Sequence, residues 1–103
     1  MADVFVTETA ERDLEAAIRY VMEILSNPKA ASRLMDEYEQ LLGKLERMPE
    51  AFPYVRDSFA AACGYRWGAF GNYMAFFTFD EALDRVVVER VLYKRRDWAN
   101  LIV

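Results

Sequence analysis

The last third of the chain concentrates basic side chains whose chemistry suits phosphate. Between residues 85 and 96 there is one acid, Glu89, and there are five bases: Arg85, Arg90, Lys94, Arg95 and Arg96. Arginine binds phosphate well because its planar guanidinium can donate to two oxygens at once. We therefore predict nucleic-acid contacts from Arg90, Lys94 and Arg96. The alternative interpretation is a solvated cluster of charges in a surface loop.

The residue types that are missing narrow the chemistry further. The sequence has no histidine and a single cysteine, Cys63. It thus lacks the side chain used most often as a general base and as a metal ligand, and the carboxylates show no suggestive spacing. We expect no metal site and no cofactor. Cys63 has no histidine to activate it, and the absence of an internal disulfide fits a reducing, cytoplasmic location.

Charge is unevenly distributed along the chain. The net charge is -4, a sign that is unexpected for a nucleic-acid-binding protein. Residues 1–50 have 11 acidic and 6 basic side chains, whereas residues 51–103 have 6 acidic and 7 basic ones. The acidic surplus therefore lies in the first half, away from the basic patch.

Length and composition predict one globular domain over residues 1–103. The chain is 54% hydrophobic and 15% aromatic, which is enough for a packed core. No apolar run approaches the twenty residues that span a bilayer, so no membrane partner is expected. Met1 to Glu8 does not resemble a secretion signal.

Two amphipathic helices should fill the first half of the chain. Apolar residues recur at helical spacing in a first segment, which ends at Ser26-Asn27: Ala10, Leu14, Ala17, Ile18, Val21 and Leu25. Thr7 or Thr9 can cap this helix, and Asn27 with Pro28 suits the start of the next. The second helix runs to Pro49, with an apolar face of Ala31, Leu34, Met35, Tyr38, Leu41, Leu42, Leu45 and Met48. The short connection predicts an antiparallel hairpin.

Strands are expected before and after these helices. Val4 to Val6 is a short β-branched run, and three further strands follow a loop over residues 49–64, at Tyr65–Phe70, Tyr73–Phe79 and Arg85–Tyr93. A last helical turn is predicted from Trp98 to Ile102. The order β-α-α-β-β-β predicts an α+β fold, with the helix hairpin packed on a mostly antiparallel four-stranded sheet.

The third predicted strand indicates a protein partner. Residues 73–79 are apolar on both faces, and two helices can cover only one face of a sheet. The other face must therefore be covered by something else, for which a bound partner is a natural candidate. On this interpretation the chain could also be a pure protein-binding module.

Several stretches together resemble the RelE/ParE superfamily, the toxins of type II toxin–antitoxin pairs that include the plasmid stabilisation proteins. The first helix opens with Thr9-Ala10-Glu11-Arg12-Asp13-Leu14, and Ser26-Asn27-Pro28-Lys29-Ala30-Ala31 is similar to the family's junction between helices. Gly64-Tyr65-Arg66, Gly71-Asn72-Tyr73 and the run from Arg90 to Trp98 complete the pattern. The resemblance covers nearly the whole chain.

The resemblance implies a bacterial toxin that is neutralised by a cognate antitoxin wrapped around it. One branch of the superfamily cleaves messenger RNA, usually on the ribosome and without a metal, and the other branch, ParE-like, inhibits DNA gyrase without a known catalytic site. We predict metal-independent cleavage of messenger RNA, with gyrase inhibition or a non-toxic binding module as alternatives. The antitoxin is expected on Tyr73, Phe77 and Phe79.

For RNA cleavage, the resemblance assigns catalytic roles to Arg66 and Arg95. Two arginines at similar positions stabilise charge on the phosphate in the RNA-cleaving branch. Its catalytic tyrosine corresponds to Leu101 or Ile102 here, so Tyr93 is the remaining candidate for a proton donor. The alternatives are that Arg66 pairs with Glu89 across the sheet and that Tyr93 packs at the sheet edge.

Overall fold

The computed structural model describes residues 1–95 and Leu101. It contains a four-stranded sheet made of β1 (Asp3–Val6), β2 (Arg66–Phe70), β3 (Tyr73–Asp80) and β4 (Arg85–Tyr93), in the spatial order β1-β4-β3-β2. β2, β3 and β4 form an antiparallel meander, while β1 pairs in parallel with β4. The predicted α+β fold and its element order are confirmed. The predicted turn from Trp98 to Ile102 lies outside the described residues except for Leu101.

The helices begin where their capping residues predict. Helix α1 (Glu8–Arg19) is capped by Thr7, whose hydroxyl accepts a hydrogen bond from the Ala10 N–H, and it continues into a π-helical turn at Tyr20–Ile24. Helix α2 (Pro28–Arg47) is capped by Asn27, whose side chain accepts from the Ala30 N–H. Pro28 stands in the first turn, where its missing N–H costs no hydrogen bond.

One face of the sheet packs against α1 and α2. The core there contains Leu34, Leu41 and Leu45 of α2, together with Phe77 and three valines of β4, Val86, Val88 and Val91. Leu25 follows the π-helical turn and is 55% exposed, and Met48 is exposed where α2 ends, so these predicted members of the helical faces do not reach the core. A shorter part of the first helical segment therefore packs on the sheet than the spacing of its apolar residues predicts.

The opposite face of the sheet is covered by the chain itself. Phe76, Met74 and Leu92 pack with Val55 and Ala60, and Leu101 adds to this second cluster. Ala60 belongs to a short helix, α3 (Ser58–Ala62), within a segment predicted to be a loop, which also contains a 3₁₀ turn at Pro49–Ala51. The prediction that something must cover this face is confirmed, but its candidate, a bound partner, is corrected: residues of the loop and Leu101 lie there.

Strand β4 changes face part of the way along its length. Phe76 lies opposite Arg90 and Phe77 opposite Val88, so Glu89 is an extra residue in a β-bulge. Val86 and Val88 therefore point to the helices together with Val91 rather than with Arg90. The bulge also directs Arg90 away from the main core.

Candidate functional site

A cleft lies where the helix hairpin meets the ends of β3 and β4. It has a volume of about 700 Å³ and is bordered by the end of α1, the start of α2 and the turn at Gly71-Asn72. Its walls are mostly apolar and aromatic, with Tyr20, Tyr73 and Tyr93 converging on it. We refer to this feature as the tyrosine cleft.

Aromatic contacts connect the tyrosine cleft to the core. The ring of Tyr73 meets that of Tyr93 edge to face, with centroids 5.5 Å apart, and stacks on Phe70 at 6.0 Å. Phe70 in turn packs on the buried Tyr38 at 5.1 Å. Such ring pairs favour tilted and offset geometries and fix the orientation of the outermost rings. Tyr73 is thus a firmly held side chain in the wall of the cleft.

The ionisation of Tyr73 bears on its chemistry. Burial raises the pKa of Tyr73, and the nearby hydroxyls of Tyr93 and Tyr20 raise it further. A general base needs a pKa close to the working pH, and a raised value takes tyrosine away from it. At neutral pH the hydroxyl of Tyr73 can donate a hydrogen bond to a bound partner but does not act as a base.

Charged side chains border the tyrosine cleft on two sides. Arg33 and Glu37 of α2 line it directly. Lys94 and Arg95 follow Tyr93 and are exposed, and the Lys94 backbone N–H donates to the Asn72 carbonyl at 2.9 Å, which ties this stretch to the turn between β2 and β3. Tyr93 thus adjoins Tyr73, and the Lys94 backbone lies beside the turn that borders the cleft. Arg96 lies outside the described residues.

Arg66 is held far from this cleft by its own contacts. Its guanidinium donates to the Phe52 carbonyl at 2.7 Å and to the Tyr54 hydroxyl at 2.8 Å, and it lies 4.0 Å above the Tyr54 ring. Strand β3 separates β2 from β4, so Arg66 does not stand opposite Glu89 as the alternative interpretation supposed. These contacts join β2 to the segment that covers the second face of the sheet.

The sheet register separates the three candidate catalytic residues. Phe77 lies opposite Arg66, and Tyr73 lies opposite Tyr93. Four residues of β3 therefore separate the two levels, roughly 14 Å at about 3.4 Å per residue, and two strand spacings add about 10 Å across the sheet. The Cα atoms of Arg66 and Tyr93 are then about 17 Å apart, and Arg95 lies farther along the chain.

Arg90 is also engaged within the fold. Its guanidinium forms two hydrogen bonds with the Asp13 carboxylate, at 2.7 and 3.1 Å, and a third with the Leu101 carbonyl at 3.0 Å. Its pKa is raised, chiefly by the hydrogen bond to Asp13, so it keeps its charge. Three of the five N–H donors of Arg90, for which a nucleic-acid contact was predicted, are therefore used within the fold.

The three residues predicted to bind a partner differ in their surroundings. Phe77 is 0% exposed and packs edge to face on Phe52, so it offers no surface in this structure. Tyr73 and Phe79 are partly buried at the margin of the same core. The physical reason is that residues 73, 75, 77 and 79 all point to the helices. Of the three, Tyr73 lines the cleft.

Sequence reasoning missed Asp13, Tyr54, Tyr20 and Arg33 as members of these arrangements. Asp13 falls between the apolar positions of α1, and Tyr54 lies in a segment without periodicity. No local signal predicts that either one pairs with an arginine distant in sequence. Tyr20 and Arg33 are placed at the cleft by the angle between the helices.

Two further properties of the described residues limit the site. Within residues 1–95 and Leu101, no group of three or more cysteine or carboxylate side chains is close enough to hold a metal ion. In the same part of the chain, no helix has the length and apolarity needed to cross a bilayer.

Comparison with known proteins identifies the family. The family described as the ParE toxin of the type II toxin–antitoxin system, parDE, matches residues 4–98. A search of curated proteins gives no match.

Solved structures of toxin–antitoxin proteins share the fold. The RelBE2 complex of Mycobacterium tuberculosis has a chain 25% identical to this one, with a TM-score of 0.63, and the match covers 89% of this chain and 96% of that one. The chromosomal ParDE system of P. aeruginosa gives 16% identity and a TM-score of 0.70 over 90% and 96%. The E. coli DinJ-YafQ complex gives 14% and 0.62 over the full length of both chains. The chain therefore belongs to the ParE toxin family of the RelE/ParE superfamily.

Proposed function

We propose that this toxin arrests growth as a ParE-like inhibitor of DNA gyrase, acting by binding and not by cleaving RNA. One observation carries the proposal. Arg66 lies opposite Phe77 of β3 and Tyr93 lies opposite Tyr73, so the Cα atoms of Arg66 and Tyr93 are about 17 Å apart. We therefore favour gyrase inhibition, which was the alternative at the level of the sequence, over cleavage of messenger RNA.

Cleavage of RNA by its own 2′-hydroxyl requires several groups at one phosphate. A base must accept the hydroxyl proton, an acid must protonate the leaving oxygen, and cations must stabilise the phosphorane. Arg66 donates instead to the Phe52 carbonyl and the Tyr54 hydroxyl. The described residues thus favour a binding surface over a ribonuclease centre.

The tyrosine cleft has the properties of a protein-binding surface. Tyrosine and arginine are enriched among the residues that dominate binding energy at interfaces. Here Tyr20 and Tyr93 are part exposed, the ring of Tyr73 behind them is held by stacking on Phe70, and Arg33 lines the cleft. We assign contact with the target to this cleft.

Matched substitutions of Tyr93 separate binding from catalysis. Tyr93→Phe removes the hydroxyl and keeps the ring on Tyr73, whereas Tyr93→Ala removes both. If the toxin binds through the ring, the Tyr93→Phe variant should still inhibit supercoiling by gyrase. The Tyr93→Ala variant should no longer inhibit it. If the hydroxyl instead transferred a proton to RNA, both variants would lose activity together.

The decisive experiment measures both targets in one induced culture. Transcript 5′ ends and plasmid supercoiling are mapped after induction of the wild type, Tyr93→Phe, Tyr93→Ala and Arg95→Ala. Gyrase inhibition predicts lost supercoiling with intact transcripts, and purified toxin should inhibit gyrase in vitro. New 5′ ends that disappear with Arg95→Ala would overturn the proposal in favour of RNA cleavage. If the induced culture grows normally, with intact transcripts and normal supercoiling, the remaining alternative is a protein-binding module without toxicity.

A further inference from the structure

Strand β1 forms one edge of the sheet. In the sheet order β1-β4-β3-β2 of the described residues, β1 has β4 on one side and no strand on the other. The N–H groups of Asp3 and Thr7 donate to the carbonyls of residues 84 and 88, at 2.9 and 3.0 Å. Because backbone groups alternate in direction along a strand, residues 3, 5 and 7 face β4. Val4 and Val6 therefore direct their N–H and C=O groups outward.

The two edges of the sheet differ in their protection. At the β2 edge, Tyr54 forms a bridge with Arg66, and the Arg66 guanidinium donates to the Tyr54 hydroxyl. Strand β1 has none of the features that prevent pairing between sheet edges, such as a proline, a lysine or a bulge. Its one charged residue, Asp3, stands at its start. The outward groups of β1 can thus pair with another strand.

Phe5 adds an apolar surface beside this edge. Its side chain is 50% exposed and points away from the helices, because its neighbours Val4 and Val6 pack with the main core. The Arg85 guanidinium lies 5.0 Å from the centre of the Phe5 ring. Among the described residues, the cluster around Phe76 covers the same face of the sheet but does not include Phe5. A large aromatic side chain is therefore available at the open edge.

We infer that β1 pairs antiparallel with β1 of a second copy of this chain, about a two-fold axis at Phe5. The segment Val4-Phe5-Val6 reads the same in both directions, so the contact is self-complementary, as a two-fold interface requires. Val4 then lies opposite Val6 of the second copy, and each such pair exchanges two backbone hydrogen bonds. Phe5 lies opposite Phe5 of the second copy, with Cα atoms about 4.5 Å apart, and the two rings shield each other from water.

The charge on β1 is compatible with this register. Asp3 lies opposite Thr7 of the second copy, so no like charges meet along the strand. A parallel pairing in the same register would instead bring the two Asp3 carboxylates together, which destabilises a sheet. Antiparallel pairing is therefore favoured. The inference concerns assembly of the toxin and does not depend on the proposed inhibition of gyrase.

Concentration dependence tests the inference on the full chain. Sedimentation equilibrium should show monomer and dimer in exchange, and hydrogen exchange followed by NMR should slow at the Val4 and Val6 amides as concentration rises. The Phe5 amide faces β4 in both states, so its protection should not depend on concentration. A chain that stays monomeric up to about 1 mM would overturn the inference. A dimer in which the Val4 and Val6 amides exchange as fast as in the monomer would overturn it too.

Charged substitutions of Phe5 identify the contact. Phe5→Glu places two carboxylates opposite each other and Phe5→Lys places two ammonium groups there, so each should weaken the dimer by roughly tenfold. An equimolar mixture of the two variants should associate again, because opposite charges then meet across the axis. Urea denaturation shows that the variants are folded. A mixture that associates no better than either variant alone would contradict the pairing.

The matched control for these variants is Phe59→Glu. It makes the same change at a phenylalanine that is 66% exposed in α3, outside β1. Association should be unaffected by this substitution, and a weakening equal to that of Phe5→Glu would show an effect of net charge only.

The competing occupant of the edge is a strand of another protein. If the Val4 and Val6 amides are protected only after antitoxin is added, at every concentration of the chain, the edge binds the antitoxin and the inference is wrong. None of these measurements involves gyrase, so a failure here and a failure of the proposed function are distinguishable.

Discussion

The Asp13 carboxylate binds Arg90 and the adjoining backbone at the same time. Its oxygens accept from the Arg90 guanidinium at 2.7 and 3.1 Å, and one of them also accepts from the Val91 N–H at 3.0 Å. β1 pairs with β4 only as far as Val88, so the Val91 N–H has no partner on β1. Asp13 thus satisfies a donor on an open strand edge and joins α1 to the sheet.

Substitution of Asp13 should reveal the strength of this connection. The side chains of Arg90 and Asp13 are 23% and 16% exposed, so removal of one leaves the other in a poorly solvated place. We expect Asp13→Ala to lower the free energy of unfolding by about 2 kcal/mol. Urea denaturation measures the loss, and Asp13→Asn, which can still accept from the Val91 N–H, should lose less. An unchanged midpoint for Asp13→Ala would contradict the role.

Leu25 and Leu41 were both predicted on apolar helical faces, but their replacement by alanine should change stability by different amounts. Leu41 is 3% exposed within the main core, whereas Leu25 is 55% exposed. Leu41→Ala leaves a cavity and should cost roughly 2–5 kcal/mol. Leu25→Ala removes the same atoms from the surface and should change stability little. Thermal or urea unfolding of the two variants side by side tests the assignment, and equal losses would refute it.

Burial of Tyr38 should make stability depend on alkaline pH. Its pKa is raised above the ordinary value of 10.0, by burial first and by Glu11 second. The unfolded chain therefore releases this proton at a lower pH than the folded one, so stability is complete below pH 10 and falls as pH rises above it. Tyr38→Phe should flatten that fall. Urea denaturation of both proteins between pH 8 and about 11 provides the measurement.

The sequence predicts those parts of the fold that depend on local chemistry. Thr7 and Asn27 accept from the helix N–H groups three residues ahead, and such caps are recognised from residue type alone. The Gly71-Asn72 turn follows from the same kind of rule, since Gly71 has a φ of 55°. The turns predicted at Gly71-Asn72 and over residues 80–84 likewise fix the extent of β3 and β4 to within a residue.

The site was less predictable because its members meet only through tertiary structure. The bulge at Glu89 reverses the facing of residues 89–93, and no pattern in Val86-Val87-Val88 indicates it. The distance between Arg66 and Tyr93 along the strands depends on that register and on the length of β2. The cover over Phe76 comes from a segment without periodicity, so the apolar run alone suggested a partner where the chain packs on itself.

Gly68 lies where β2 crosses beneath α2, and its lack of a side chain allows that approach. A Cβ at this position would come within 2.8 Å of a Leu41 methyl and 2.9 Å of the Phe52 ring. Gly68→Ala should therefore cost about 1–3 kcal/mol through overpacking. Gly43 of α2 is the matched control, since a Cβ there would meet only the Arg47 side chain at 3.4 Å. Gly43→Ala should stabilise the helix by up to about 1 kcal/mol.

A double mutant tests the steric cause of the cost at Gly68. If the Leu41 methyl is the obstacle, Leu41→Ala gives the new methyl room, and the new methyl fills part of the cavity. The Leu41→Ala/Gly68→Ala protein should then be more stable than the sum of the two single losses predicts, by about 0.5–3 kcal/mol, the range measured for residues in contact. Urea unfolding of the four proteins completes the cycle. Strict additivity would show that the Leu41 methyl is not the obstacle and would leave the Phe52 ring as the cause.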